Sequence, residues 1–335
     1  MKSCLVIIIL LTLSAIQAVG QQVYSQKEPL AHTYSIVARD SVTGQMAVAV
    51  QSHWFSVGSL VSWGKSGVGV IATQSFVDPS YGPKGIGLME SGKSAMEALN
   101  ELLSQDDGVP VRQVAMVDKF GRVSAHTGNA CIPFANHIIG SGFSVQANMM
   151  LTDAVPLAMA NAYERNINLP FAERVVSALL AAQDAGGDIR GKQSAALIVV
   201  AAEPRDAWND KIIDLRIEDH PEPIKELVRL LKVHRAYAHM NQGDLAVENG
   251  NMTKAMMQYS KAEKLMPENL EMKFWKAVTM ANNDNIQGAV QVLVHVFSDP
   301  VYGMNWKKLL ARLPEVGLLT VTEEDLELLK NAKRD

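Results

Sequence analysis

The chain has 335 residues, 48% of them hydrophobic and 20% charged, with two cysteines and a formal net charge of −4. That length and apolar content suffice for the cores of two domains. The small net charge and the lack of any Lys/Arg run make nucleic acid and anionic membrane surfaces poor partners.

Lys2 gives a short basic start, Leu5 to Ile16 is apolar but too short to span a bilayer comfortably, and Ala18-Val19-Gly20 offers small residues for cleavage. The pattern predicts a signal peptide over 1–20, cut before Gln21, then a linker or propeptide over 21–30. Export to the periplasm or the outside is therefore expected, with no stable membrane anchor, because no basic stop-transfer flank follows the apolar run. Cleavage would remove Cys4 and leave Cys131 alone, so no internal disulfide is expected.

Thr33 to Arg39 and Met46 to Ser52 read as strands joined by a tight turn over Ser41 to Gln45. If Asp40 pairs with Met46, Ser35 falls opposite Gln51 and Thr33 opposite His53. Gly67 to Thr73 reads as a third strand, followed by a loop over Asp78 to Pro83 forced by its prolines and glycine. Ser94 and Glu97 form a capping-box signature before a helix ending at Leu103. A second hairpin is expected over Val111 to Asp118 and Arg122 to Thr127. Helices are expected over Leu157 to Arg165 and Phe171 to Asp184, and strands over Ala195 to Ala202 and Ile212 to Ile217. Strands grouped before and after helices predict layered sheets flanked by helices rather than βαβ units.

The stretches His32 to Asp40, Val48 to Phe55, Ala72 to Val77, Ala125 to Gly128, Gln146 to Met149 and Asp214 to Pro221 resemble the family catalogued as domain of unknown function 1028 (DUF1028). The resemblance covers roughly residues 31 to 235 and implies a branch of the N-terminal nucleophile hydrolases. Their fold is an α+β, four-layer αββα sandwich, here assigned to residues 31–223, and they cut amide bonds. The implied substrate is amide- or peptide-like, with a cell-wall-derived one suggested by a peptidoglycan-binding tail in some relatives. No cofactor is implied.

The resemblance makes Thr33 the candidate nucleophile. A neutral threonine hydroxyl is a weak nucleophile and needs an adjacent base. A free α-amine on the same residue supplies one, its ordinary pKa being about 7.7 to 8.0. The amine exists only if the His32–Thr33 bond is cut, and His32 departs from the small residue that often precedes the nucleophile in self-processing members. Ser35, on the same face of the strand, is the substitute nucleophile. Gln51, His53, Gln74 and Asn148 are candidates for oxyanion donors and substrate holders, and Asp78 and Tyr81 for substrate contacts from the loop.

No metal site is expected. His234 and His239 are five apart and fall on different faces of a helix, and no paired-cysteine spacing exists. Cys131 has no basic neighbour to lower its thiol pKa.

Residues 224–335 predict a small all-α domain. Gly243, Gly250, Ala255, Tyr259, Ala262 and Pro267 fall at tetratricopeptide-repeat offsets, and Ala289 follows Ala255 by the 34-residue period of that repeat. Trp306 to Leu313 and Glu323 to Ala332 are expected as capping helices, and the domain as a docking surface for a protein partner. Two functions stay open: an exported amide hydrolase acting through Thr33, and a catalytically silent ligand-binding or scaffold protein whose N-terminal segment stays attached. The sequence carries no statement of oligomeric state.

Overall fold

A computed structural model of the chain describes residues 30–333. The expected signal peptide and nearly all of the 21–30 segment lie outside the described residues. The chain divides into two compact units after Val228, inside the helix Pro223–Glu248 and just beyond the expected 223/224 boundary.

The strands of the first unit are, in chain order, β1 (Leu30–Ala31), β2 (Thr33–Arg39), β3 (Met46–Ser52), β4 (Ser62–Lys65), β5 (Gly69–Phe76), β6 (Arg112–Asp118), β7 (Val123–Thr127), β8 (Asn136–Gly140), β9 (Phe143–Ala147), β10 (Ser194–Val200) and β11 (Lys211–Ile217). They form a five-stranded sheet in the order β1-β5-β6-β7, with β4 also on β5, and a six-stranded sheet in the order β11-β10-β3-β2-β9-β8. Every pairing is antiparallel.

The near-continuous apolar strands are buried on both faces, which forces a second layer on each side. Val37, Met46, Val48 and Val50 of one sheet pack with Val70, Ala72, Ala115 and Val117 of the other. On the outer face of the five-stranded sheet, Ile71, Val114 and Met116 receive helices α1 (Tyr81–Glu90) and α2 (Ala95–Leu103). Helices α3 (Val155–Arg165) and α4 (Phe171–Asp184) cover the outer face of the six-stranded sheet, where Tyr163 tilts onto Phe143 at 4.7 Å between ring centroids. The layers run helices, sheet, sheet, helices.

Two local expectations require correction. The β2–β3 register pairs Arg39 with Met46 and Thr33 with Ser52, not Asp40 with Met46. Asp40 belongs to the turn: its amide donates to the Gln45 carbonyl at 2.8 Å, and its carboxylate accepts the Thr43 amide at 2.9 Å. Ser35 thus faces Val50, and Gln51 faces Tyr34 on the other side of the sheet.

The second correction is α1, which begins at Tyr81 inside the stretch expected to be loop. Pro83 sits in the first turn, where its missing N–H removes no helical hydrogen bond. Gly82 is required by contact, since a Cβ there would lie 2.2 Å from Trp63 Cδ2. Tertiary packing overrides the poor helix propensity of Tyr-Gly-Pro. The expected capping box at α2 is present, with Ser94 accepting from the Glu97 amide and Glu97 accepting from the Ser94 amide.

The second unit is helical: the later part of α5 (Pro223–Glu248), then α6 (Met252–Leu265), α7 (Leu270–Ala281), α8 (Ile286–Phe297), α9 (Gly303–Leu310) and α10 (Glu323–Lys330). Asn251, Asn269, Asn285 and Thr322 each cap a helix by accepting a backbone N–H. Small residues set the spacing, as at Gly243, where a Cβ would lie 2.3 Å from the Tyr259 ring. Ala255, Tyr259 and Ala262 are buried in one cluster, and Ala277, Ala289 and Leu293 in a second.

Candidate functional site

His32 is the single residue between β1 of the five-stranded sheet and β2 of the six-stranded sheet, so the chain crosses from one sheet to the other there. Its carbonyl oxygen accepts hydrogen bonds from Ser52 Oγ at 2.6 Å and from Arg190 Nη2 at 2.8 Å. Ser52 is brought to it by the Thr33–Ser52 pairing. Arg190 is held by Asp188, whose carboxylate accepts Nε at 3.0 Å and Nη2 at 2.7 Å. The Asp188 side chain is fully buried, and it also accepts the amides of Arg190 at 2.9 Å and His53 at 3.1 Å. A buried carboxylate with four N–H partners is fully satisfied, which fixes the guanidinium in place.

Thr33 is fully buried, and its hydroxyl donates to the Ala31 carbonyl at 2.6 Å. Its own carbonyl accepts from the Asn148 amide at 3.1 Å and from Gln74 Nε2 at 3.2 Å. Gln113 locks both side-chain amides, with Oε1 accepting Gln74 Nε2 at 2.7 Å and Asn148 Nδ2 at 2.8 Å. That leaves Asn148 Oδ1 as the acceptor facing His32 Nδ1 at 2.8 Å, so the network assigns His32 as the neutral Nδ1–H tautomer. Burial lowers the His32 pKa below 6.5; the hydrogen bond to Asn148 opposes this, and the Arg190 charge reinforces it.

Gln74 and Asn148 share a further feature. Each directly precedes a non-glycine residue with positive φ, Ser75 at 77° and Met149 at 59°. Such conformations cost about 1–3 kcal/mol each and persist where surrounding structure enforces them, as at binding and catalytic sites.

Of the expected site residues, Thr33, Ser35, Gln74 and Asn148 come together. Ser35 is fully buried between the sheets, donating to Gln74 Oε1 and accepting from Gln146 Nε2, both at 2.6 Å. His53 lies past the end of β3 with its side chain exposed, and its backbone N–H serves Asp188. Gln51 points away from Thr33 toward the helical layer, on the face where Tyr34 donates to Gln183 of α4 at 3.1 Å. It is fully buried, and among the described residues neither of its amide atoms has a partner. Asp78 accepts the Ser80 amide at the start of α1, while Tyr81 donates to Asp106, the carboxylate that pairs with Arg112. Desolvation, then the Asp106 carboxylate, pushes the Tyr81 phenol well up.

Sequence reasoning missed Ser52, Asp188 and Arg190. Arg190 is 158 residues from His32. An Asp-x-Arg spacing is a weak signal, and only the β2–β3 register could have nominated Ser52.

On the β7–β8 side, a cavity of about 540 Å³ is lined by Thr127, Asn129, Cys131, Asn136 and His137 among others. Thr127 Oγ1 accepts from Gln113 Nε2 at 2.9 Å and lies 2.8 Å from His137 Nδ1. The His137 tautomer sets which of the two donates in that contact. Burial, with His126 nearby, keeps His137 below its ordinary value. Burial raises the Cys131 thiol, against weaker hydrogen bonds from Ser75 and Gly128, so it is not an activated nucleophile.

A family model described as "Family of unknown function (DUF1028)" matches residues 33–227. The crystal structure of a DUF1028 protein from Silicibacter pomeroyi is similar at 30% sequence identity and a TM-score of 0.55, over 60% of this chain and 85% of that one. No curated protein matches.

Proposed function

On the premise that the chain belongs to the DUF1028 family, we propose that its first unit is an exported amide-bond hydrolase of the N-terminal nucleophile kind, with Thr33 as nucleophile after the His32–Thr33 bond is cut. The observation that carries this reading is the His32 carbonyl, one residue before Thr33, held between Ser52 Oγ at 2.6 Å and Arg190 Nη2 at 2.8 Å. Two donors aimed at one carbonyl oxygen, one of them cationic and fixed by a buried carboxylate, are what a tetrahedral oxyanion requires. The family match also begins at Thr33.

In maturation, Thr33 Oγ1 turns from Ala31 and attacks the His32 carbonyl carbon. Negative charge develops on the oxygen bonded to Ser52 and Arg190, the C–N bond breaks, and an ester to Thr33 forms with the amine freed. Water hydrolyses the ester, leaving a carboxylate on His32 and a free α-amine on Thr33. In turnover, that amine takes the hydroxyl proton and the substrate carbonyl occupies the place of the His32 carbonyl. Gln74 and Asn148 hold the Thr33 carbonyl and so fix the nucleophile's backbone.

The substrate class is an amide or short peptide, and the helical unit is a tetratricopeptide-like docking module for a protein partner, supported by the small-residue packing at Gly243 and Tyr259. The test is the intact mass of the purified protein followed by amide turnover: a chain that begins at Thr33 and loses turnover as Thr33→Ala is expected.

One observation favours a silent, ligand-binding protein instead. Leu30–Ala31 pairs with β5 as an integral strand, and Thr33 is fully buried behind it. A purified chain that starts at Gln21 and hydrolyses no amide is the outcome expected of that alternative.

A further inference from the structure

We infer that the groove filled by the Leu30–His32 segment is the acyl-side substrate cleft, and that it selects an extended peptide ending in a flat, neutral, hydrogen-bond-donating side chain, as in a histidyl residue. The inference rests on the hydrolase reading of Thr33 and specifies its substrate.

The main chain of the segment is recognised first. Leu30 pairs with Phe76 and Ala31 with Ser75, so the segment adds as an antiparallel strand to β5. This edge pairing is open to any extended peptide, since backbone hydrogen bonds carry no side-chain preference. Selectivity enters at the next two positions. Ala31 is fully buried within the core cluster between the sheets, which limits the penultimate residue to a small one.

The last residue is recognised by its ring. His32 is 1% exposed, and its imidazole meets the Phe76 ring edge-on at 5.4 Å between centroids and an interplanar angle of 86°. Its Nδ1–H donates to Asn148 Oδ1 at 2.8 Å. Asn148 cannot turn to offer a donor instead, because its Nδ2 is held by Gln113 Oε1 at 2.8 Å. The wall therefore presents a fixed acceptor and an aromatic ring. A carboxylate side chain would be buried against that acceptor, and an aliphatic one would leave it unpaired; both are disfavoured. Arg190, already on the His32 carbonyl at 2.8 Å, repels an imidazolium. A neutral planar donor satisfies the Asn148 acceptor, while the buried Nε2 of His32 has no partner among the described residues.

In turnover, the amide C–N bond after this residue breaks, its acyl carbon forms an ester with Thr33 Oγ1, and the leaving nitrogen departs as an amine carrying the proton. Water then releases a peptide with a histidyl carboxylate, the same chemical species as the end of the segment freed by maturation. That product is a competitive inhibitor.

The experiment uses the purified full-length protein and the labelled peptides dansyl-Leu-Ala-His, dansyl-Leu-Ala-Leu and dansyl-Leu-Ala-Glu, with binding read by fluorescence anisotropy and no variant required. If intact mass gives a chain beginning at Thr33, the histidyl peptide is expected to bind at least tenfold more tightly than the other two. Equal binding of all three, or of none, overturns the cleft assignment and leaves the Thr33 nucleophile standing. If intact mass gives a chain beginning at Gln21, the hydrolase reading fails. The groove is then tested in that chain by His32→Glu, expected to speed thermolysin cutting at Leu30–Ala31 at least tenfold. Equal cutting rates overturn the assignment.

Discussion

Arg190 reaches the carbonyl oxygen of His32 at 2.8 Å across 158 residues of sequence, with its guanidinium fixed by the fully buried Asp188. If that contact stabilises an oxyanion, Arg190→Gln should slow the appearance of a chain starting at Thr33 by about 10²–10³-fold. Intact mass followed over time measures it. Asp188→Asn weakens the grip on Arg190 without removing the donor and should slow maturation less. A wild-type rate in Arg190→Gln removes Arg190 from the chemistry.

Thr33→Ser keeps a hydroxyl at the same place and should still mature and turn over amides. Thr33→Ala should do neither, yet should remain folded, since the hydroxyl gives one hydrogen bond, to Ala31, worth about 1 kcal/mol. Urea unfolding of both variants beside an amide-release assay separates chemistry from stability.

Gln51 carries two amide atoms unpaired among the described residues, in a fully buried position on the face away from Thr33. Gln51→Met fills a similar volume without polar atoms and should raise stability by about 1–2 kcal/mol, with maturation unchanged. A fall in amide turnover in this variant would return Gln51 to the site.

In the uncleaved chain, which still carries His32, His32 and His137 both titrate below 6.5 when folded, burial being the first cause for each. The unfolded chain therefore binds more protons than the folded one from 6.5 down to the lowered values. Stability from these groups is present above 6.5 and is lost as pH falls below it. Urea midpoints between pH 7.5 and 5 should decline, and His137→Gln should flatten the decline. Equal slopes would show that His137 titrates normally.

A Cβ at Gly243 would lie 2.3 Å from the Tyr259 ring. Gly243→Ala should destabilise the helical unit by about 1–3 kcal/mol through overpacking, despite the better helix propensity of alanine. Thermal unfolding that shows no change would mean the two helices can separate freely.

Local rules made the ends of many elements legible. β2 and β3 span the expected residues, because alternating β-branched runs bounded by turn residues declare themselves. The Ser94–Glu97 capping box did the same for α2. β8 and β9 escaped notice: Asn136–Gly140 carries two polar residues and a glycine, and Phe143–Ala147 places the polar Ser144 and Gln146 within the buried inter-sheet network. Polar residues satisfied by distant partners imitate a loop when read alone.

The candidate site divides the same way. Thr33 was marked by the family resemblance, Ser35 by sharing its strand face, and Gln74 and Asn148 as polar residues expected near it. The side of the sheet on which Gln51 lies depended on a one-residue register set by Asp40 turning its carboxylate onto Thr43. Ser52, Asp188 and Arg190 became partners of His32 only when sheet pairing brought together segments far apart in the chain. Sequence determines each residue's chemistry and local geometry; which groups meet depends on long-range pairing that no local window contains.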